Sequence, residues 1–119
     1  MPWINIAVAV ALVLLFLLLK RSGQISSDAA QSHLKNGALL IDVRTPAEYA
    51  SGHLPNAINI PLDQIEANIP RRVQDKNKVL LLHCQSGMRS GMAKSKLKKL
   101  GYPNSFNLGS YARAEGIVR

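Results

Sequence analysis

The feature that most constrains the fold is a short apolar run that leads into a tight loop and then into a helical pattern. Leu80, Leu81 and Leu82 form the run, residues 83–89 contain one cysteine and one glycine, and residues 90–100 have a helical pattern. A run of this kind predicts a strand buried on both faces, which is typical of parallel sheets. Since strand and helix patterns alternate along residues 22–119, the sequence predicts a small α/β domain with a mostly parallel sheet flanked by helices.

Cys84 is the predicted nucleophile. A loop between the end of a strand and the start of a helix gathers backbone N–H groups beside the positive end of the helix dipole. A thiol in that position ionises more readily, and the thiolate is the reactive form of cysteine. Gly87 permits a tight turn, and Arg89 adds a fixed positive charge. The alternative is an inert, buried cysteine, which explains neither Gly87 nor Arg89.

The loop Cys-Gln-Ser-Gly-Met-Arg-Ser, residues 84–90, resembles the active-site loop of the rhodanese-like sulfurtransferases. A second block agrees with this resemblance: Ile-Asp-Val-Arg-Thr-Pro-Ala-Glu-Tyr at 41–49, followed by Gly-His-Leu-Pro-Asn-Ala-Ile-Asn-Ile-Pro at 52–61. The resemblance covers roughly residues 24–118. The chain therefore resembles a single-domain rhodanese-like sulfurtransferase.

The resemblance implies that a sulfane sulfur moves from a small anionic donor such as thiosulfate to Cys84 as a persulfide, and then to a thiophilic acceptor, a thiol or a protein. It implies no metal and no organic cofactor. Cys84 would be catalytic, and the substrate-binding loop would comprise Gln85, Ser86, Gly87, Met88 and Arg89. Asp42, Arg44 and Ser90 would support that loop. Gln85 stands where many relatives have arginine, which predicts weaker activity towards thiosulfate or a different donor.

Two other functions remain open. One is a membrane-tethered, non-catalytic binding module that uses the same fold. The other is a phosphatase or arsenate reductase, whose related loop has five residues between cysteine and arginine. Only four residues separate Cys84 from Arg89, and the smaller loop suits a single sulfur atom better than a tetrahedral oxyanion.

The N-terminal segment predicts a membrane anchor, residues 1–21, before the rhodanese-like domain of residues 22–119. Residues 3–19 are apolar except for Asn5, and Lys20 and Arg21 follow. As a helix they would reach about 25 Å, and interfacial Trp3 with snorkelling Lys20 and Arg21 would extend that reach. A cleaved signal peptide fits less well, because no basic residue precedes the run and no small-residue cleavage site follows it.

The basic pair after the apolar run also predicts an orientation. The positive-inside rule places Lys20 and Arg21 in the cytoplasm. We therefore expect a single-pass protein of the inner or plasma membrane, with its N-terminus outside and its catalytic domain in the cytoplasm. A reducing compartment would keep the thiol free.

The chain carries a net charge of +8, and from Ser22 onward 13 Lys and Arg residues oppose 7 Asp and Glu residues. This charge favours an anionic substrate or an acidic partner. Nucleic acid is not expected, because the basic residues are spread over several elements without interleaved aromatic residues. The single cysteine excludes an intramolecular disulfide and a cysteine-based zinc site.

Several local patterns predict where helices begin and end. Thr45, Pro46 and Glu48 form a capping box. We expect Pro70 to end a short amphipathic helix that begins at Leu62, and Ser90 to cap the helix after the cysteine loop. Strand alternation predicts that the His83 side chain points to the opposite face from Cys84 and packs there.

Overall fold

A four-stranded parallel sheet forms the centre of the molecule. The computed structural model describes the backbone of residues 2–119 and the side chains of residues 2–17 and 23–119. The strands are β1 (Leu39–Asp42), β2 (Ile58–Asn59), β3 (Leu80–His83) and β4 (Ser105–Gly109), in the spatial order β2-β1-β3-β4. All three strand pairs are parallel. The predicted α/β fold with a parallel sheet flanked by helices is confirmed.

Helices alternate with the strands in the order that the sequence predicts. They are α2 (Ser27–Lys35), α3 (Pro46–Ser51), α4 (Ile65–Arg72), α5 (Met88–Lys99) and α6 (Tyr111–Val118), with a 3-10 turn over Leu62–Gln64. Helix α1 (Pro2–Ser22) precedes them, and its described side chains are exposed. The predicted capping box is present at α3: Thr45 Oγ1 accepts from the Glu48 N–H at 3.2 Å, and Glu48 Oε1 accepts from the Thr45 N–H at 3.1 Å.

The core lies in two layers because residues of the central strand alternate between the faces of the sheet. Leu80, Leu82 and Cys84 point to one face, where they pack with residues of α4 and α5. Leu81 belongs to the other layer, with residues of α2 and α6. Since all four residues of β3 are buried, this strand is covered on both sides, as the apolar run predicts.

Two predicted helix boundaries are wrong. Pro70 lies inside α4 and does not end it. Proline removes one N–H, and the carbonyl that loses its partner is that of Glu66, an exposed residue near the start of the helix. Helix α5 begins at Met88, so Ser90 lies in its first turn and the cap position belongs to Gly87.

The strand order creates the crevice where a site can form. From β1 the chain passes to β2 on one side and then to β3 on the other. Loops therefore diverge at the carboxyl ends of β1 and β3, the position where ligands bind in open α/β sheets. A register shift after Leu82 pairs His83 with Gly109 and leaves Leu108 as an extra residue of β4, a bulge of the kind found beside active sites.

The predicted membrane localisation is wrong. Among the residues whose side chains the structure describes, no helix is long and apolar enough to cross a membrane. The expected anchor over residues 3–19, with an outside N-terminus and a cytoplasmic domain, is therefore not supported. The expected interfacial roles of Lys20 and Arg21 lie outside the described side chains.

Candidate active site

Cys84 lies at the carboxyl end of the central strand with no exposed surface. Its backbone N–H donates to the Gly109 carbonyl at 3.3 Å, which continues the pairing between β3 and β4 by one step. Its side chain points towards α5, on the face opposite to that of His83, which is also fully buried. The strand therefore delivers a single thiol to the start of α5.

Hydrogen-bond donors surround the sulfur of Cys84. The N–H of Gly87 donates to Sγ at 3.0 Å and the N–H of Ser90 at 3.4 Å, while the Ser90 hydroxyl lies 3.5 Å away. We call the backbone of residues 84–90 with the Ser90 side chain the cup. Burial alone would raise the pKa of the Cys84 thiol, but bonds from the Ser90 hydroxyl and from the N–H groups of Ser90, Gly87 and Ser86 outweigh it and lower that pKa.

Helix α5 adds to this effect because it starts beside the sulfur. Gly87 takes the cap position with a φ of 95°, a left-handed backbone conformation that residues with a side chain rarely adopt. The first N–H groups of a helix carry a partial positive charge, which favours an anion next to them. Ser90 does not cap this helix as predicted: its hydroxyl turns inward and lies 2.7 Å from Asn107 Oδ1 and 3.1 Å from the Gly87 carbonyl.

Arg89 forms a two-pronged ion pair with Glu48. Its two terminal nitrogens donate to the Glu48 oxygens at 2.6 and 3.0 Å. The Arg89 hydrogen bond, followed by that from the Thr45 N–H, lowers the pKa of Glu48 to about 2. The carboxylate in turn raises the pKa of Arg89. The guanidinium therefore stands beside the cup with its charge balanced by a carboxylate of α3.

Asp42 and Arg44 form a second, buried ion pair beneath the loop. Arg44 donates to both Asp42 oxygens at 2.8 to 3.1 Å through Nε and a terminal nitrogen, and the Asp42 hydrogen bond raises the pKa of Arg44. The same guanidinium reaches the Gly52 carbonyl at 2.7 Å and Gln85 Oε1 at 3.3 Å, and it lies over the ring of Tyr111. Arg44 thus connects Asp42, at the end of β1, with Gln85 of the cup.

The remaining predicted loop residues lie around the opening of the cup. The Gln85 carbonyl accepts from the Tyr111 N–H at 3.3 Å, and Ser86 pairs with Ser110 in an isolated bridge. Met88 is 75 % exposed and begins α5. The structure therefore brings together all nine predicted site residues, Cys84 through Ser90 with Asp42 and Arg44; the roles assigned to them remain predictions.

Three further residues at the site escaped the sequence analysis. Asn107 is a buried polar residue of β4 that contacts Ser90, Gly87 and Gly109. Gln24 packs against the backbone of Gly109, where an added Cβ would lie 3.1 Å from its amide nitrogen. The sequence pattern indicates Glu48 only as a capping residue. The one available signal was the polar Asn107 between apolar Phe106 and Leu108 in a buried strand.

Within the described part of the chain, no three His, Cys, Asp or Glu side chains come close enough together to hold a metal ion. The cup offers a thiol with a lowered pKa, hydrogen-bond donors aimed at the sulfur, and two ion pairs beside it. Such a site can form and hold a covalent bond to sulfur.

The chain is similar to known proteins in sequence and in fold. The rhodanese-like domain family matches residues 26–113. Thiosulfate sulfurtransferase PspE of Escherichia coli (strain K12) is 42 % identical over 69 residues, which cover 58 % of this chain and 66 % of that protein. The tRNA uridine(34) hydroxylase of Erwinia tasmaniensis is 33 % identical over 75 residues, covering 60 % of this chain but 21 % of that protein.

A solved structure agrees with the sequence relatives. The human single-domain sulfurtransferase TSTD1 is 30 % identical with a TM-score of 0.68, over 77 % of this chain and 94 % of that one. The chain spans 66 % of PspE and about a fifth of the tRNA hydroxylase, so what either whole protein does is not transferred by the match alone. The family match and the shared fold nonetheless decide the family: this chain belongs to the rhodanese-like sulfurtransferase family.

Proposed function

We propose that this protein is a sulfurtransferase that moves a sulfane sulfur from a small anionic donor such as thiosulfate to a thiol acceptor through a persulfide on Cys84. The observation that carries the proposal is the set of donors around the buried sulfur, with the Gly87 N–H at 3.0 Å from Sγ. These donors stabilise the thiolate, which is the nucleophile in exchange at sulfur. Of the relatives, PspE is a thiosulfate sulfurtransferase.

In the first step the Cys84 thiolate attacks the outer sulfur of thiosulfate. A bond forms between Sγ and that sulfur, while the bond between the two sulfurs of thiosulfate breaks and sulfite leaves with its electron pair. The terminal sulfur of the new persulfide extends from Sγ towards the opening of the cup. Backbone N–H groups of residues 85–89 then stabilise the negative charge on that sulfur.

In the second step an acceptor thiolate attacks the terminal sulfur. A new bond forms between the two, the bond to Sγ breaks, and Cys84 leaves as a thiolate that the cup again stabilises. The same donors therefore assist both steps, because each step begins or ends with negative charge at Sγ. Asp42 and Arg44 support the loop by holding Gln85.

The electrostatics of the site favour sulfur over a phosphate ester. A phosphate would need a guanidinium free to bind two of its oxygens, whereas Arg89 is occupied by Glu48. Gln85 adds no charge. Because the charge of Arg89 is balanced by Glu48, we expect thiosulfate, a dianion, to bind weakly. A sulfur donor of lower charge would bind at least as well.

Intact mass spectrometry tests the proposal. The full chain would be reduced and kept in a mild detergent, because its α1 side chains are exposed. Its intact mass would be measured after incubation with thiosulfate. Cyanide would then be added and thiocyanate assayed, with Cys84→Ser as the control. We expect one added sulfur atom on the wild type alone, which cyanide removes.

Two other outcomes would contradict the proposal. No adduct from thiosulfate or from a persulfide donor, in a folded and reduced protein, would favour a non-catalytic binding module. Hydrolysis of a phosphate ester without any sulfur adduct would favour the phosphatase alternative. A parallel assay with para-nitrophenyl phosphate separates these two results.

A further inference from the structure

Asn107 forms hydrogen bonds with Gly87 and Ser90, two residues that donate to the sulfur of Cys84, and with the backbone of Gly109. It is buried, in the middle of β4. Its Nδ2 donates to the Gly87 carbonyl at 3.1 Å, and its Oδ1 accepts from the Gly109 N–H at 2.9 Å and from the Ser90 hydroxyl at 2.7 Å.

The orientation of this amide is determined by two backbone groups. The Gly109 N–H can only donate, so it requires Oδ1 on its side, and the Gly87 carbonyl can only accept, so it requires Nδ2. With Oδ1 fixed as an acceptor, the one proton of the Ser90 hydroxyl has three acceptors within reach: Asn107 Oδ1 at 2.7 Å, the Gly87 carbonyl at 3.1 Å and Sγ at 3.5 Å. The contact with Asn107 is the shortest, and it holds the hydroxyl beside the sulfur.

Each of these three partners also contacts Cys84. The Gly87 and Ser90 N–H groups donate to Sγ, and the Gly109 carbonyl accepts from the Cys84 N–H. The Asn107 side chain therefore holds Gly87 and Ser90, which donate to the sulfur, and Gly109, which pairs with the backbone of Cys84. A buried amide whose oxygen and nitrogen both have partners specifies one arrangement of its neighbours.

We propose that Asn107 is a positioning residue that holds the hydrogen-bond donors of the cup against the sulfur of Cys84. The inference rests on the proposed function only in naming Cys84 as the nucleophile. Asn107 touches neither the sulfur nor a substrate; it acts through Gly87 and Ser90.

The test is the ionisation of Cys84 in the full chain. The chain has one cysteine, so thiolate absorbance in the ultraviolet and the pH dependence of alkylation by iodoacetamide both report on Cys84 alone. Asn107→Leu keeps the number and branching of the side-chain heavy atoms but cannot make the three bonds. Asn107→Asp keeps both acceptor contacts, loses the donor to Gly87 and adds negative charge.

We expect both variants to raise the apparent pKa of Cys84, the leucine variant by about one unit, the size of one lost hydrogen bond. Asn107→Asp should raise it further. Ser105→Ala is the matched control: it removes a buried polar group from the same strand, where Ser105 bonds to Tyr102, and should leave the titration unchanged. In Ser90→Ala with Asn107→Leu, the shift should be smaller than the sum of the single shifts, because both act through one contact.

An unchanged titration in a folded Asn107 variant would overturn the inference. So would a lower pKa, since it would mean that Asn107 withholds the Ser90 proton from the sulfur. If neither variant folds while Ser105→Ala does, the role of Asn107 is structural only. The titration needs no sulfur donor, so a normal shift in a protein that forms no persulfide would reject the proposed function and leave this inference intact.

Discussion

At the residue scale, Gly87 performs two tasks with one backbone conformation. Its φ of 95° turns the chain into α5, and its N–H makes the shortest contact to Sγ. In Gly87→Ala the same left-handed backbone would carry a side chain, which costs roughly 1–2 kcal/mol. Relief of that strain would move the N–H away from the sulfur. We expect a lower melting temperature and a raised pKa of Cys84, measured by thermal denaturation and by alkylation across pH.

Gly37→Ala provides the control for backbone strain. Gly37 has a φ of 90° and no atom within 4 Å of an added Cβ, so the alanine should reduce stability to a similar degree. It lies away from the cup and should leave the alkylation profile of Cys84 unchanged. Equal profiles for the two variants would show that the conformation of Gly87 does not matter for the thiol.

What the sequence could predict at this scale depends on how local the signal is. Cys84, Gly87 and the start of the following helix lie within a few residues of each other, so their cooperation could be predicted. The contacts of Arg89 with Glu48 and of Ser90 with Asn107 join residues 41 and 17 positions apart. These pairs form only because the strand order brings the loops together, and no periodicity in the chain indicates that.

At the element scale, the ion pair between Glu48 and Arg89 joins α3 to the start of α5. Glu48→Gln keeps the capping box, because glutamine also accepts from the Thr45 N–H, but it removes the carboxylate that balances Arg89. The opening of the cup would become more positive. We expect the KM for thiosulfate to fall about two- to fivefold, with the effect decreasing as salt is added, in a steady-state thiocyanate assay.

Glu66→Gln is matched to this variant because it breaks another glutamate pair with the same helix. Glu66 accepts from Lys96 at 2.9 Å, two turns further along α5. Its removal should change KM little, since that charge is farther from the sulfur. A KM that rises in Glu48→Gln would mean that the pair positions Arg89 and that its charge balance is secondary.

Helix boundaries were predicted well where a side chain caps the backbone and poorly where burial overrides the local pattern. Thr45 begins α3 as its capping box indicates. Serine is a common capping residue, but the Ser90 hydroxyl bonds to Asn107 in the interior. Gly87 takes the cap position instead. Tertiary contacts of this kind are absent from any local window of sequence.

At the scale of the whole molecule, the strand order places a buried histidine on the face of the sheet opposite to Cys84, beside Tyr111 of α6. His83 has no exposed surface, and its Nε2 has no hydrogen-bond partner among the described residues. Asp42 lies 3.9 Å from that nitrogen, but it already accepts several bonds from Arg44, and the ring of Tyr111 meets the imidazole edge-on. Burial, the largest effect, therefore lowers the pKa of His83 and outweighs the attraction of Asp42.

A lowered pKa in the folded state makes stability depend on pH. Below a pH of about 6.5 the unfolded chain binds a proton at His83 that the folded chain does not bind. The free energy of unfolding should therefore be highest above that pH. It should fall as the pH decreases towards the folded pKa, with a slope that approaches about 1.4 kcal/mol per pH unit from this one group.

Urea denaturation between pH 5 and 8 measures this slope. His83→Gln cannot be protonated and should lose the part of the slope that His83 contributes, even if its stability at pH 8 is reduced. His53→Gln, at an exposed histidine, should retain that part, because the variant keeps His83. A slope that survives in His83→Gln would show that another group causes the pH dependence, and that the imidazole beneath the active-site loop binds its proton as readily in the folded protein as in the unfolded chain.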